Sequence, residues 1–413
     1  MSTFRRFIFQ VAPAAALLLA PPVNAQDRLI NADPVGTQLS PRVVVLGDGT
    51  AVFAWSQDFP SAVEMRRFDS AGFPIDALDV EISTGEGAGQ LDLAASVAGE
   101  FVAVWREVVI GGGAGSEILG RRFAESGAPL GDVFRVNEAT ALGQLLPSVA
   151  MRPDGSFLVA WANTSGGGTG SSISARRFDP TGAPIGGDFA VSTGTAAVQT
   201  DPDVAFTADG GALITWASES IQLRRYDSAG AAVGSELTVS DSPLGLPPVS
   251  GLGPAVAASD DGSFLVSWTN ASTFQVAAVS ARVFDPSGTP VAGELVLDAA
   301  GNYLSASAAA AVGDEFEVVW ASFPNFSFEI SSRRIGRDGQ FSGPASRINV
   351  ELAGSQRYPA LAVRDGQVLV AWTGPEPGLP PNQGIVSNLM ATDEIFADGF
   401  EGGDFAAWDV VFP

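Results

Sequence analysis

Cysteine and histidine are absent from the 413 residues, and all 22 basic residues are arginines, because lysine is absent as well. Each absence removes a class of chemistry. Without cysteine there is no disulfide to staple the fold, so stability must come from the core and from topology. Without histidine there is no Ser-His-Asp or Cys-His nucleophile system and no imidazole-ligated metal. Without lysine there is neither a Schiff base nor a P-loop. Carboxylates, Tyr, Ser, Thr and Arg are the remaining catalytic vocabulary. The expectation is a fold with no cofactor and no metal.

Beyond the N-terminus no apolar run is long enough to span a bilayer, and the mean hydropathy of +0.21 comes from Ala, Val and Gly in short alternating runs. At the N-terminus Arg5 and Arg6 precede an apolar stretch from Phe7 to Ala20, and Val23-Asn24-Ala25 offers small residues at −3 and −1. This reads as a signal peptide over residues 1–25, with a mature chain from Gln26 that is exported, extracellular or envelope-associated, and monomeric. The net charge is −24, and loss of Arg5 and Arg6 makes it −26. So acidic a surface repels phosphate backbones, which argues against nucleic acid as a partner.

What the chain has in quantity is repetition. Trp55, Trp105, Trp161, Trp216, Trp268, Trp320 and Trp372 recur at intervals of 50, 56, 55, 52, 52 and 52 residues, each closing an alternating apolar run. The third copy shows the unit: Pro147-Ser148-Val149-Ala150, a turn at Pro153-Asp154-Gly155, then Phe157 to Trp161. A Gly/Ser loop follows, then Ile173 to Phe178 with the Arg176-Arg177-Phe178 signature, a turn at Asp179-Pro180-Thr181-Gly182, and Phe189 to Ser192. Asp-Gly between alternating runs signals a hairpin. Four short strands per copy predict an all-β, seven-bladed β-propeller of four-stranded antiparallel blades over residues 26–392. The seventh copy ends after its third strand, whereas Leu29-Ile30-Asn31 matches Val136-Asn137 and Ile348-Asn349 of other fourth strands. The N-terminal strand, within residues 27–33, should therefore complete the last blade.

On these repeats the chain resembles propeller-type repeat proteins that bacteria export, a likeness of architecture that carries over no catalytic residue. The WD dipeptide and the S-x-D-x-G-x-x-W box are both missing. The segment Ile395 to Trp408, IFADGFEGGDFAAW, lies in an acidic and aromatic tail over residues 393–413. It resembles a short C-terminal segment of exported gammaproteobacterial proteins, which implies envelope sorting or secretion. The alternative is an extension that packs Phe396, Phe400 and Trp408 on the last blade.

Candidate site residues follow from position. The seven tryptophans sit in phase with apolar strand faces and are expected in the core. The first arginine of each pair (Arg66, Arg121, Arg176, Arg224, Arg282, Arg333) is expected to pack on an aromatic or hold groups of its own blade. First strands should line the central channel. The position after their usual proline reads Arg42, Asp92, Ser148, Asp203, Ala255, Ser307 and Ala360, so Arg42, Asp92 and Asp203 are the candidate ligand-binding groups at the channel mouth. Second-to-third-strand loops differ most in length and define a variable face. The leading expectation is a non-catalytic propeller that binds a protein or carbohydrate through that face. The alternatives are a carbohydrate-active enzyme, glycoside hydrolase or lyase, using channel-mouth carboxylates, and a structural envelope component.

Overall fold

The computed structural model describes residues 27–390 except 34–35, 59–60, 84, 86, 109–114, 140–142, 165–169, 195–197, 242, 245–252, 274–275, 302–304, 324–326, 351–353 and 376–382. The expected signal peptide over residues 1–25 and the tail segment lie outside the described residues. Seven four-stranded antiparallel sheets follow one another along the chain. Their first strands are Gln38–Val45, Gly89–Ala95, Gln144–Met151, Thr200–Phe206, Ala255–Ala258, Ser305–Val312 and Arg357–Arg364. Each first strand contacts those of the two neighbouring blades, and the seventh contacts the first, so the ring closes around its axis. The expected seven-bladed propeller is the observed one.

The blades pack through the alternation that the sequence displays. All seven repeat tryptophans are buried, at 1% exposure or less. Each hydrophobic cluster draws on two adjacent blades, as where Trp105 packs with Val52, Ala54 and Val63 of blade one. The indole nitrogens are satisfied inside the core: Trp55 donates to Glu64 at 3.1 Å, Trp161 to Asn163 at 3.0 Å and Trp372 to Gln356 at 2.7 Å. The 1–2 turns pair a backbone reversal with a glycine at positive φ, as at Gly49 (87°) and Gly155 (86°).

Closure occurs where the repeat count placed it. Arg28–Leu29 pairs antiparallel with Gln383–Met390, with Arg28 opposite Ser387 and Leu29 opposite Val386. Ile30 N–H donates to Ile385 O at 2.7 Å, and Asn31 Oδ1 accepts from Ile385 N at 2.8 Å. That last contact explains the fourth-strand signature. Asn137 accepts from Ile118 N and Asn349 from Ile330 N, each at 2.8 Å, while Ser83, Ser192 and Ser240 accept from Val63, Ile173 and Ile221. A short polar side chain at this point bonds the third-strand amide beside it.

The arginine pairs do more than was expected of them. The first does lie over its own aromatic, as Arg66 does over Phe68 and Arg176 over Phe178. It also reaches back into the preceding blade. Arg66 donates to Ile30 O (2.8 Å), Arg176 to Val136 O (3.1 Å), Arg224 to Val191 O (2.7 Å) and Arg282 to Val239 O (2.6 Å). Blade seven keeps the contact with a different residue, Asn388 donating to Ile348 O at 3.3 Å. The second arginine reaches forward to carbonyls of the next blade's 3–4 turn: Arg67 to Ser126, Arg122 to Thr181 (2.7 Å), Arg177 to Ala229 (2.6 Å) and Arg225 to Pro286 (2.7 Å). The first arginines do serve their own blades, Arg66 bonding Asp76 O, Arg176 bonding Gly186 O and Arg333 bonding Gly343 O, and five donors on each long planar fork let one residue reach a second sheet as well.

A variant lacking residues 26–33 should melt far below the full protein or aggregate through the exposed edge of Gln383–Met390. Burial of Ile30 is worth about 1.5 to 3 kcal/mol and each lost strand hydrogen bond about 0.5 to 1.5 kcal/mol. Thermal melting by circular dichroism checks this. Arg66→Met should cost about 1 to 3 kcal/mol in urea unfolding, because it strands the Ile30 carbonyl in a buried place.

Candidate functional site

The channel wall is built from the first strands, and a free strand edge at the axis leaves amides without a sheet partner. Two aspartates supply what is missing. Asp92 of blade two accepts from Val149 N of blade three at 2.8 Å, and Asp203 of blade four accepts from Val256 N of blade five at 2.7 Å. Each aspartate uses its other oxygen to hold the blade before it. Arg42 Nε of blade one meets Asp92 Oδ1 at 3.0 Å, and Ser148 Oγ of blade three donates to Asp203 Oδ1 at 2.9 Å. The four side chains therefore run as a polar chain along the wall from blade one to blade five.

Of the three predicted residues, Arg42 and Asp92 are thus brought into an ion pair, while Asp203 is joined to Ser148. Register confirms the equivalence of these positions, since Arg42, Asp92, Ser148, Asp203, Ala255 and Ala360 all pair with the residue preceding the repeat tryptophan. Blade six is a correction. Ser307 pairs with Trp320 itself, and Ala308 holds the equivalent place opposite Val319. Sequence reasoning missed the role of Ser148, although it stood at the right position. A shared position named the four residues but could not tell which neighbours would touch.

Just before these side chains, the first strands carry a register shift in six blades. The residue two places before the inner position adopts a left-handed backbone in five of them: Ser40 (51°), Gln90 (51°), Leu146 (55°), Asp201 (50°) and Tyr358 (55°). A bulge at this point turns the strand and re-aims the residues that follow it. No sequence signal marks it, since these five share no residue type.

The electrostatics separate the two carboxyls. Burial pushes Asp203 up to about 6, and the nearby charge of Asp92 pushes the same way, against the Val256 amide and the Ser148 hydroxyl. Burial also raises Asp92, but there the Arg42 guanidinium and the Val149 amide pull it back. Both side chains still touch solvent, Asp92 at 15% exposure and Arg42 at 39%, as groups on a narrow channel wall do. Both carboxyls are thus raised by burial, Asp203 to about 6, and at Asp92 the Arg42 guanidinium opposes the rise. Among the described residues no cluster of three or more potential metal ligands is found. Parts of the variable-face loops, including 109–114, 165–169 and 376–382, lie outside the described residues.

No protein-family model matches the chain, and no curated protein matches it. Solved structures do match. One is a protein of unknown function from Dyadobacter fermentans, 13% identical, covering 88% of this chain and 97% of its own, with a TM-score of 0.51. Another is the α-L-arabinofuranosidase Arb93A of Fusarium graminearum, solved with an iminosugar inhibitor, at 10% identity, 90% and 98% coverage and a TM-score of 0.50. A third is the polysaccharide lyase Uly1, at 10% identity, 85% and 90% coverage and a TM-score of 0.53. At such identities the likeness is one of fold. It nevertheless corrects the leading expectation of a non-catalytic binding protein. That expectation took the propeller as a platform without chemistry, whereas two of these three similar structures are carbohydrate-active enzymes.

The raised carboxyls leave a signature in stability. Folded Asp203 holds its proton more tightly than the unfolded chain, whose aspartates titrate near 3.8. This stabilisation is complete below about pH 4 and is lost as pH rises through about 6. Glu64, pushed to about 7 chiefly by burial and by Asp79, adds the same sign from its ordinary 4.5 upward. The melting temperature should therefore fall between pH 4 and pH 7. Asp203→Asn should flatten the part below about 6 and Glu64→Gln the part reaching about 7, read by calorimetry across that range.

Proposed function

We propose that this protein is a carbohydrate-active enzyme that hydrolyses glycosidic bonds at its central channel, with Asp203 as proton donor and Asp92 as the ionised carboxylate. The observation that carries this reading is the two buried carboxyls on the channel wall, Asp203 raised to about 6 and Asp92 also raised by burial but held by the Arg42 guanidinium at 3.0 Å, which favours its ionised form. Glycoside hydrolysis asks for that asymmetry: an acid that still holds a proton near neutrality to protonate the leaving oxygen, and a carboxylate that activates water or attacks the sugar. The absence of His, Cys and Lys leaves carboxylates as the available acid and base. The carbohydrate-cleaving enzymes among similar structures agree with it.

A lyase fits less well. It needs a cation to neutralise the substrate's carboxylate, and Arg42 is already committed to Asp92 at 3.0 Å. The net charge of −24 also disfavours a polyanionic chain, so the proposed substrate is a neutral glycan. With the signal peptide and the sorting-type tail, the enzyme would act outside the cytoplasm.

The test is a screen of the purified protein against neutral polysaccharides for released reducing ends. Asp203→Asn and Asp92→Asn should each lower kcat about a hundredfold or more without losing the fold, the range expected for removal of a general acid or base. The pH profile should fall on its alkaline side near the Asp203 value of about 6. Activity that survives in both variants would overturn the assignment.

A further inference from the structure

Blade two breaks the repeat at one place on the face that carries Asp92. The residue after the repeat tryptophan is small in the other blades, Ser56, Ala162, Ala217, Thr269, Ala321 and Thr373, but in blade two it is Arg106. Strand alternation turns Arg106 toward blade three, because Trp105 packs against blade one while Val104, and Ile118 opposite Arg106, pack with Val149 and Val159 of blade three. Asp92 shares that face and stands opposite Val104. Arg106 therefore lies about 7 Å along its strand from Val104, on the side of the variable face, and is half-buried. Every other arginine among the described residues has a hydrogen bond, an ion pair or an aromatic ring, down to Arg121 over Phe123 and Arg357 over Phe328. Arg106 has none of these, and its Nε is buried without an acceptor.

The carboxylates around it are engaged elsewhere. Asp92 is held by Arg42 and by the Val149 amide, and Glu107, on the opposite face of the strand, accepts from the Trp105 indole. A second free donor stands beside Arg106. In blade seven the residue after the tryptophan, Thr373, accepts from the Ser40 amide in the bulge of the next blade at 3.1 Å. Arginine cannot accept, so in blade two Gln90 Oε1 takes the Leu146 amide of the next bulge, also at 3.1 Å. That bond leaves Gln90 Nε2 without an acceptor among the described residues, next to Gly89, the partner of Arg106 across the sheet. We infer that Arg106 and Gln90 form a carboxylate-binding subsite where the seam between blades two and three meets the mouth of the channel. Half-buried donors without acceptors are costly, and a carboxylate brings two oxygens to the guanidinium fork together with the charge that matches it. One guanidinium takes one carboxylate, so the ligand is a free monocarboxylate or a single acidic sugar on an otherwise neutral glycan, while the net charge of −24 still turns polyanions away. A lyase is not restored, since it needs its cation on the sugar being cleaved and Arg106 makes no ion pair with Asp92. The subsite stands whether or not the channel hydrolyses glycosides.

The experiment follows the arginine Nε–H resonances of the purified, isotope-labelled protein, with the Arg106 signal identified as the one that Arg106→Gln removes. Acetate, D-glucuronate and D-glucose are titrated in turn at constant ionic strength. At least one of the two carboxylates should shift the Arg106 signal saturably, with a Kd of about 10 mM or below, and glucose should not. Glucuronate binding about tenfold tighter than acetate assigns the subsite to an acidic sugar, and equal affinities assign it to a free carboxylate. Calorimetry on Gln90→Glu keeps the test valid should Arg106→Gln fail to fold. The new carboxylate can still accept from Leu146 but gives Arg106 a counter-ion within the protein, so affinity for the bound carboxylate should fall about tenfold or more. No saturable shift with either carboxylate, an equal shift with glucose, or unchanged binding in Gln90→Glu overturns the inference. Hydrolysis enters none of these readouts, so an inactive channel leaves the subsite standing, and an active channel with an unresponsive Arg106 removes the subsite alone.

Discussion

The contact on which the rest of this structure depends is the one between neighbouring blades. A four-stranded sheet of this size buries one face only if another sheet lies against it, and seven such sheets bury all their faces only if the last meets the first. The tryptophans fill the space between sheets, but apolar packing has no direction and would tolerate sliding. Direction comes from hydrogen bonds that cross from blade to blade. The first arginine of a pair bonds a carbonyl of the blade behind, the second bonds a turn of the blade ahead, and at the axis Asp92 and Asp203 hold amides of the blade that follows. A chain without lysine is well suited to this, because the planar guanidinium can serve two acceptors at once and stays charged when half-buried.

The same constraint shapes the candidate site. Asp92 and Asp203 lie at the axis because strand edges there need acceptors, and their burial is what raises them. Structural stitching and the raised carboxyls are here two consequences of one placement. The fold is one that carbohydrate-active enzymes also use, which corrects the expectation that the propeller is a platform without chemistry.

Much of the architecture was legible in the residues. The tryptophan interval set the blade number, Asp-Gly pairs marked turns, and the Ile-Asn and Val-Asn signatures located the closing strand, whose Asn31 meets Ile385 across 354 residues, because an Asn there does a local job in each blade where it occurs. In blade six the position shifted by one residue, from Ser307 to Ala308. The bulges at Ser40, Gln90, Leu146, Asp201 and Tyr358 carried no signal at all, since a left-handed residue with a side chain is forced by its surroundings and not by its own preference.

By itself, then, the sequence determined the repeat, its strands and the chemistry it excludes, because periodicity and residue type are local properties that each copy states again. It also named Arg42, Asp92 and Asp203, since equivalent positions in a ring must face the same axis. Only the tertiary structure decided that Arg42 meets Asp92, that Ser148 meets Asp203 and that the arginines staple neighbours. Those pairings join residues about 50 positions apart on separate sheets. They depend on how two sheets twist against each other, and no pattern within one repeat records that.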